Sequence, residues 1–338
     1  MTELSPNIVI WEMTLKCNLN CIHCGSSAGL SRANELSTKE ALKVCEDLAN
    51  IGTKGVALMG GEIFLRKDWY EISRKIKDLG MALSIVTNGY VNPKNFIQKM
   101  IKLEVNSLSM GLDGTKKTHN LIRGKEDAFD KTIKFIDEAN KSGLDPCPIT
   151  TFHKINIKEF HEIKELVLGK GLDWHILTGM AIGRFPKEQL LTKKEHHDLG
   201  LLIASAQKEY SADRIIPGHV HGFHSECIPD ITPYQKWNGC YAGITILGIR
   251  SNGDILGCET LPDEYIEGNV RKKSLREIWN DPKAFSYNRG FKISDLNGFC
   301  KECKYKKTCK GGCMSRSLSI TKQPHNDPYC YYRIEQEK

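Results

Sequence analysis

The sequence predicts an α/β protein, a parallel sheet flanked by helices and followed by a smaller cysteine-rich module. From about residue 8 to 185, strand-like runs alternate with amphipathic helical patterns, the order expected of a parallel sheet with helices outside it. Past about residue 236, glycine, proline and cysteine punctuate the chain, leaving a module too poor in regular core to stand without metal. Thirteen cysteines, most of them at metal-ligand spacings, are the third sign. The 338 residues have room for one large domain and a smaller one. We divide them into 1–185 for the sheet, 186–235 for a bridging segment and 236–338 for the cysteine-rich module.

The first strand is Ile8 to Thr14. Ser37-Thr38-Lys39-Glu40 forms a capping box that opens a helix continuing through Ala41, Val44, Leu48 and Ile51. Strands follow at Gly55 to Met59, Ala82 to Val86 and Val105 to Leu108, with Pro93 at a helix start between the last two. Strands near Cys147 to Phe152 and Trp174 to Thr178 bring the count to six. Thr192-Lys193-Lys194-Glu195 caps a helix running through Tyr210, after which Pro217, Gly218, Pro229 and Pro233 read as loop. In the last hundred residues, Ser251 to Asp254 marks a strand pair and Leu275 to Trp279 a short helix.

Hydrophobic residues make up 40% of the chain, with no apolar stretch of about 18 residues and no signal-peptide start. A soluble cytoplasmic protein, not a membrane protein, is expected. An odd number of cysteines grouped for metal points to a reducing, oxygen-poor compartment. Cys45 and Cys147 have no partner spacing and read as small buried hydrophobes.

The run Cys17-Asn-Leu-Asn-Cys21-Ile-His23-Cys24 supplies three thiolates. Thiolate sulfur favours zinc or iron–sulfur centres, and spacing alone does not choose between them. Structural zinc is closed by four protein ligands, yet Gly25, Ser26, Ser27, Ala28 and Gly29 add neither cysteine nor histidine. A four-iron cluster with one iron left open fits better.

This triad, placed just after a strand, resembles the cluster loop of the radical S-adenosylmethionine (SAM) superfamily. The resemblance implies a partial (β/α)6 TIM-like barrel with its active site at the strand C-terminal ends. It also implies a [4Fe-4S] cluster whose open iron is chelated by SAM, and a 5′-deoxyadenosyl radical that abstracts hydrogen from substrate. Gly60-Gly61-Glu62 matches the family's SAM-amino motif, with Ile63 where many relatives have proline. Thr87-Asn88-Gly89 and the run Ser109 to Gly114 match later strand ends. By the same resemblance Asn88 hydrogen-bonds the ribose of SAM, Ser109 its carboxylate, and Arg123 pairs with that carboxylate.

A second pattern, Cys240, Gly253 four residues before Cys258, Cys300-x-x-Cys303, Cys309-x-x-x-Cys313 and Cys330, resembles the SPASM extension of these enzymes. It implies two auxiliary [4Fe-4S] clusters, three in all. Cys300, Cys303, Cys309 and Cys330 would hold the outer cluster, and Cys240, Cys258 and Cys313 the inner one. For the inner cluster's fourth position, either Cys227 supplies it or the site is open to substrate. The surrounding stretch His219 to Cys227 is dense in metal-capable groups but reads as a solvated loop. A pair of zinc ribbons would use the same C-x-x-C spacings, and only the company of the N-terminal motifs argues against it.

The formal charge of +7 overstates basicity, since anionic clusters would lower it by roughly five units, and nucleic acid is not implied. Lysines between 301 and 310 suit a basic shell around clusters or a reductase docking face.

The expected activity is that of a SPASM-type radical SAM oxidoreductase that crosslinks or oxidises a ribosomally made peptide or protein. A low-potential reductant such as flavodoxin or ferredoxin would serve it. With the barrel beginning at residue 8, a leader-binding domain would be a discrete partner protein. The rival is a small-molecule substrate, such as a tetrapyrrole undergoing oxidative decarboxylation. A non-catalytic metal scaffold is the third reading, opposed by a SAM pocket it would not need. Asp113, His119, His175 and Tyr241 have acid–base chemistry, and the sequence ranks none of them.

Overall fold

The structure, a computed structural model, describes residues 4–221, 223–232 and 237–337, so the loop signal Pro233 lies outside the described residues. The strands are β1 (Ile8–Glu12), β2 (Gly55–Met59), β3 (Ala82–Thr87), β4 (Ser107–Gly111), β5 (Cys147–Phe152), β6 (Trp174–Thr178), β7 (Ile215–Pro217), β8 (Ile246–Ile249), β9 (Asp254–Leu256) and β10 (Gly268–Asn269). They form one sheet in the order β10-β9-β8-β1-β2-β3-β4-β5-β6-β7. From β8 to β7 every pairing is parallel, and β9 and β10 fold back antiparallel.

The first six strands stand where the hydrophobic runs place them. Two parallel strands extend that set of six, and both are short. In β7, Pro217 reads as a turn signal in sequence, yet it sits at the end of an edge strand, where a missing N–H leaves no ladder bond unmade. In β8, Ile8 of β1 pairs with Ile246 and Trp11 with Ile249, so the cysteine-rich half joins the sheet directly. The sheet therefore runs through both boundaries drawn from the sequence.

Alternation along the strands divides two environments. Val9, Trp11, Val56, Leu58, Leu83, Ile85, Leu108 and Met110 are buried against the outer helices. The helix Thr38–Asn50 meets them with Ala41, Val44, Cys45 and Leu48, its start fixed by the Ser37–Glu40 capping box. Cys45 is fully buried and its thiol pKa is pushed up to about 12, as suits a packing residue. Ile10, Ala57, Ser84, Ser109, Ile149 and His175 occupy the other, concave face and are only half-buried.

Candidate active site

The three N-terminal cysteines leave β1 on a loop closed at its base. Cys17 N–H donates to Gly29 O at 2.9 Å and Gly29 N–H to Leu15 O at 2.9 Å. The segment after β2 packs on this base, with Gly61 N–H donating to Thr14 O and Glu62 N–H to Lys16 O, both at 2.8 Å. A Cβ at Gly60 would come within 2.3 Å of Thr14 O, and one at Gly61 within 2.2 Å of Lys16 O. The two glycines thus let one loop backbone lie against another. From beyond β6, the Arg184 guanidinium donates to Cys21 O at 2.9 Å and Ala28 O at 2.7 Å, clamping the loop from its other side.

Each of the three sulfurs meets a donor. Asn88 Nδ2 lies 3.6 Å from Cys17 Sγ, Arg123 Nη1 lies 3.7 Å from Cys21 Sγ, and Ala28 N–H donates to Cys24 Sγ at 3.3 Å. Burial pushes the Cys17 and Cys21 thiols up, which disfavours free thiolates there. Three sulfurs with one donor apiece fit an iron–sulfur cluster, whose sulfurs are held and tuned by such contacts.

The residues expected to frame SAM converge on this loop. Glu62 is fully buried, and its carboxylate accepts from Phe64 N–H (3.2 Å), Thr87 Oγ1 (2.8 Å) and Asn88 N–H (2.8 Å). It ties the first expected SAM motif to the second. Asn88 also donates to Asn18 Oδ1 at 2.8 Å. Arg123 is buried, and its Nη2 pairs with Asp113 at 2.5 Å; a Cβ at Gly111 would lie 1.7 Å from that nitrogen. Asp113 also meets His23 Nε2 at 3.2 Å and accepts Thr151 N–H at 3.0 Å. Burial alone would raise its pKa, but Arg123 and His23 hold it well below the usual carboxylate range. His119 Nδ1 accepts Asp113 N–H, and burial lowers its pKa to about 3, leaving a neutral ring. Ser109 lies half-buried on β4, paired in register with Val86 of β3. His175 lies half-buried on β6.

Seven further cysteines line two cavities. Cys300, Cys303, Cys309 and Cys330 line one, together with His224 and Asp327. Cys240, Cys258 and Cys313 line the other, where Leu177 and Thr178 of β6 and Met180 just beyond it stand with His219 and Tyr241. Four sulfurs around one space and three around the other suit the chemistry of iron–sulfur centres.

Two expectations are corrected. Cys227 is exposed and lines neither cavity, so it is not brought to the inner three. Its turn is pinned instead to the C-terminal helix Tyr331–Gln336, through Ser225 Oγ to Glu335 Oε1 at 2.5 Å and Glu226 N–H to Glu335 Oε2 at 2.8 Å. The stretch His219 to Cys227 is not solvated throughout: His219, Glu226 and Cys227 are exposed, but His221 is fully buried with Nδ1 2.7 Å from Tyr331 Oη. His219 stacks on Trp237 and lines the inner cavity, and His224 stacks on Tyr305 at 3.9 Å and lines the outer one.

Sequence reasoning missed Arg184 and Glu259. Glu259 follows Cys258 and accepts from Ser26 Oγ, in the first cysteine loop, at 3.3 Å. Removal from water and the nearby Glu12 carboxylate push its pKa up to about 7. No spacing signal marks a single glutamate of this kind.

Residues 11–167 match the model of the radical SAM superfamily, and residues 240–304 match SPASM, an iron–sulfur cluster-binding domain. An AdoMet-dependent heme synthase of Methanosarcina barkeri is 30% identical over 97% of this chain and 97% of its own length. The chain belongs to the radical SAM superfamily. It is an enzyme of the SPASM subfamily, and the two domains imply iron–sulfur clusters and SAM. An Fe-coproporphyrin III synthase of the same organism is 25% identical over 97% of this chain and 88% of its own. A PqqA peptide cyclase of Rhizobium meliloti is 25% identical over 97% and 87%. Streptococcus suis SuiB bound to S-adenosylmethionine shares the fold with a TM-score of 0.78, at 20% identity, over 97% of this chain and 76% of that one. Among the described residues, no helix is long and apolar enough to cross a membrane.

Proposed function

We propose that this radical SAM enzyme oxidises a carboxylate-bearing side chain of a tetrapyrrole, releasing carbon dioxide. The observation that carries this is the 30% identity, over 97% of both chains, to an AdoMet-dependent heme synthase. Leu177, Met180, Ala242, Ile246, Leu261 and Met314 give the inner cavity apolar walls beside three cysteines. The AdoMet-dependent heme synthases, the Fe-coproporphyrin III synthase and a pre-heme d1 synthase of Dinoroseobacter shibae support the same substrate class by their names. Taking one hydrogen atom and one electron from a propionate leaves a vinyl group and carbon dioxide, so the reaction needs both a hydrogen abstractor and an electron acceptor. Bound SAM and three [4Fe-4S] clusters supply those two kinds of chemistry.

The chain's own residues hold and orient. Cys17, Cys21 and Cys24 would hold the first cluster, and Cys300, Cys303, Cys309 and Cys330 the outer one. Cys240, Cys258 and Cys313, which line one cavity, would hold the inner one and leave its fourth position open to substrate. Gly60, Gly61, Glu62, Asn88, Ser109 and Arg123 frame SAM. Glu62 does so from behind, by fixing Asn88, and Arg123 by spanning Asp113 and Cys21. The enzyme works in the cytoplasm with a flavodoxin or ferredoxin as reductant.

A second reading, modification of a ribosomal peptide, is favoured by likeness to SuiB bound to its precursor peptide SuiA, at TM-score 0.77, and to PqqA peptide cyclases. Under it, a discrete leader-binding protein joins the complex. The test is anaerobic reconstitution with SAM and dithionite, followed by iron-coproporphyrin III or by a peptide encoded beside the gene. Substrate-dependent 5′-deoxyadenosine with loss of carboxylate mass from the porphyrin is the expected result. Turnover of the peptide alone overturns the tetrapyrrole reading.

A further inference from the structure

Between the two auxiliary cavities lies a buried ion pair that nothing in the cysteine pattern announces. Arg316 is 2% exposed and Asp327 fully buried. Arg316 Nε reaches both carboxylate oxygens, at 2.8 and 2.9 Å. Asp327 touches both sites: its Oδ2 accepts Cys313 N–H at 3.2 Å, and its side chain lines the outer cavity with Cys300, Cys303, Cys309 and Cys330. Its Oδ1 also accepts Tyr329 N–H at 3.0 Å, one residue before Cys330. A single carboxylate therefore fixes the backbone next to a ligand of each site.

The guanidinium is less well served. Nη1 and Nη2 of Arg316 are buried with no hydrogen-bond partner among the described residues. Phe223 and Tyr329 lie over the group at 5.4 and 5.6 Å, and neither ring supplies an acceptor. Through Asp327 the guanidinium shares a hydrogen-bond partner with the Cys313 N–H. Buried N–H donors left idle carry a desolvation penalty, which an anionic group opposite them removes. Iron–sulfur centres with thiolate ligands are such anions, and nearby positive charge and hydrogen bonds raise their reduction potentials.

We propose that the Arg316–Asp327 pair couples the two auxiliary sites, with Asp327 positioning Cys313 and Cys330 and Arg316 raising the reduction potential of the auxiliary cluster that Cys313 helps to hold. The inference rests on the reading of these seven cysteines as cluster ligands. Neither residue is a catalytic residue; both act through the clusters.

The test is an electron paramagnetic resonance redox titration of the full-length, anaerobically reconstituted enzyme. Wild type first shows whether the premise stands: iron for the first site alone removes the cluster reading and the proposal with it, before any variant is made. Given full loading, Arg316→Gln is expected to lower the reduced-to-oxidised ratio of one auxiliary couple at least tenfold at the wild-type midpoint, which is 59 mV for one electron. Arg316→Lys, keeping the charge, restores that ratio to within threefold. Asp327→Asn shifts it the opposite way. Auxiliary couples that all stay within threefold of wild type in fully loaded Arg316→Gln overturn the proposal. Should Arg316→Gln fail to hold iron, Asp327→Asn decides alone, and an unshifted couple there overturns it.

Discussion

Around Cys17, Cys21 and Cys24, loop and donors are anchored to regular strand ends, Glu62 and Asn88 after β2 and β3, Asp113 after β4, and Arg184 after β6. Around the outer four cysteines the scaffold is a 3-10 turn at Gly298–Lys301, a one-turn helix at Lys306–Cys309 and the helices Met314–Thr321 and Tyr331–Gln336. The first region inherits its shape from a sheet that closes over its own apolar core. The second has two small satellite clusters of buried side chains, one with Cys309 and Cys313 as members and one against which Cys240 and Cys258 pack. A metal centre on the first scaffold would decorate a fold already formed, whereas one on the second would be part of what folds it.

Stripping iron with a chelator under anaerobic conditions breaks or sustains that contrast most directly. Amide hydrogen exchange is expected to accelerate over residues 290–330 by more than about 100-fold, roughly 3 kcal/mol of local stability, while β2 to β5 keep their protection. Equal loss in both regions would refute the contrast. Single cysteine variants sharpen it next. Cys313→Ala should remove one cluster's iron from the purified enzyme and Cys227→Ala none, measured as iron and sulfide per chain. A third comparison isolates the N-terminal loop. Gly61→Ala, driving a methyl into Lys16 O, should cost about 1–3 kcal/mol in denaturant unfolding and weaken SAM binding. Gly25→Ala, with nothing within 4 Å, should leave both unchanged.

The smallest effect concerns pH. Burial lowers the pKa values of His119 and His221 to about 3 and of His153 and His175 to about 4. Unfolded histidines bind protons below about 6.5, so the unfolded state gains protons that the folded state does not. Stability is complete above pH 6.5 and falls as the pH drops toward 3. His119→Gln should flatten that slope by at most about 1.4 kcal/mol per pH unit, read from urea midpoints between pH 6.5 and 4.5.

Much of this was legible beforehand where the signal was periodic or spaced. The six strands β1 to β6 and the Ser37 and Thr192 capping boxes follow from local pattern, whereas the grouping of Cys300, Cys303, Cys309 and Cys330, which line one space, rests on the resemblance to the SPASM extension. Strands β7 and β8, at three and four residues, are too short to carry a period, and Pro217 argued against one of them. His221 reads as loop because polar composition mimics solvation, although it is buried against the Tyr331 hydroxyl. Arg184, Glu259, Arg316 and Asp327 matter through tertiary neighbours far along the chain, which no single-sequence pattern encodes.

The pairing of β8 with β1 works as a ruler. β1 runs straight into the first cysteine loop, and β8 turns through β9 into Cys258, while the Glu12 carboxylate accepts from Ser251 Oγ at 2.7 Å across the top of the two strands. Backbone ladder bonds, not a hinge, therefore set the first cysteine loop and Cys258 relative to one another. A slip of one residue in that pairing would move them by about 3.3 Å, so their spacing is laid down when the sheet zips up.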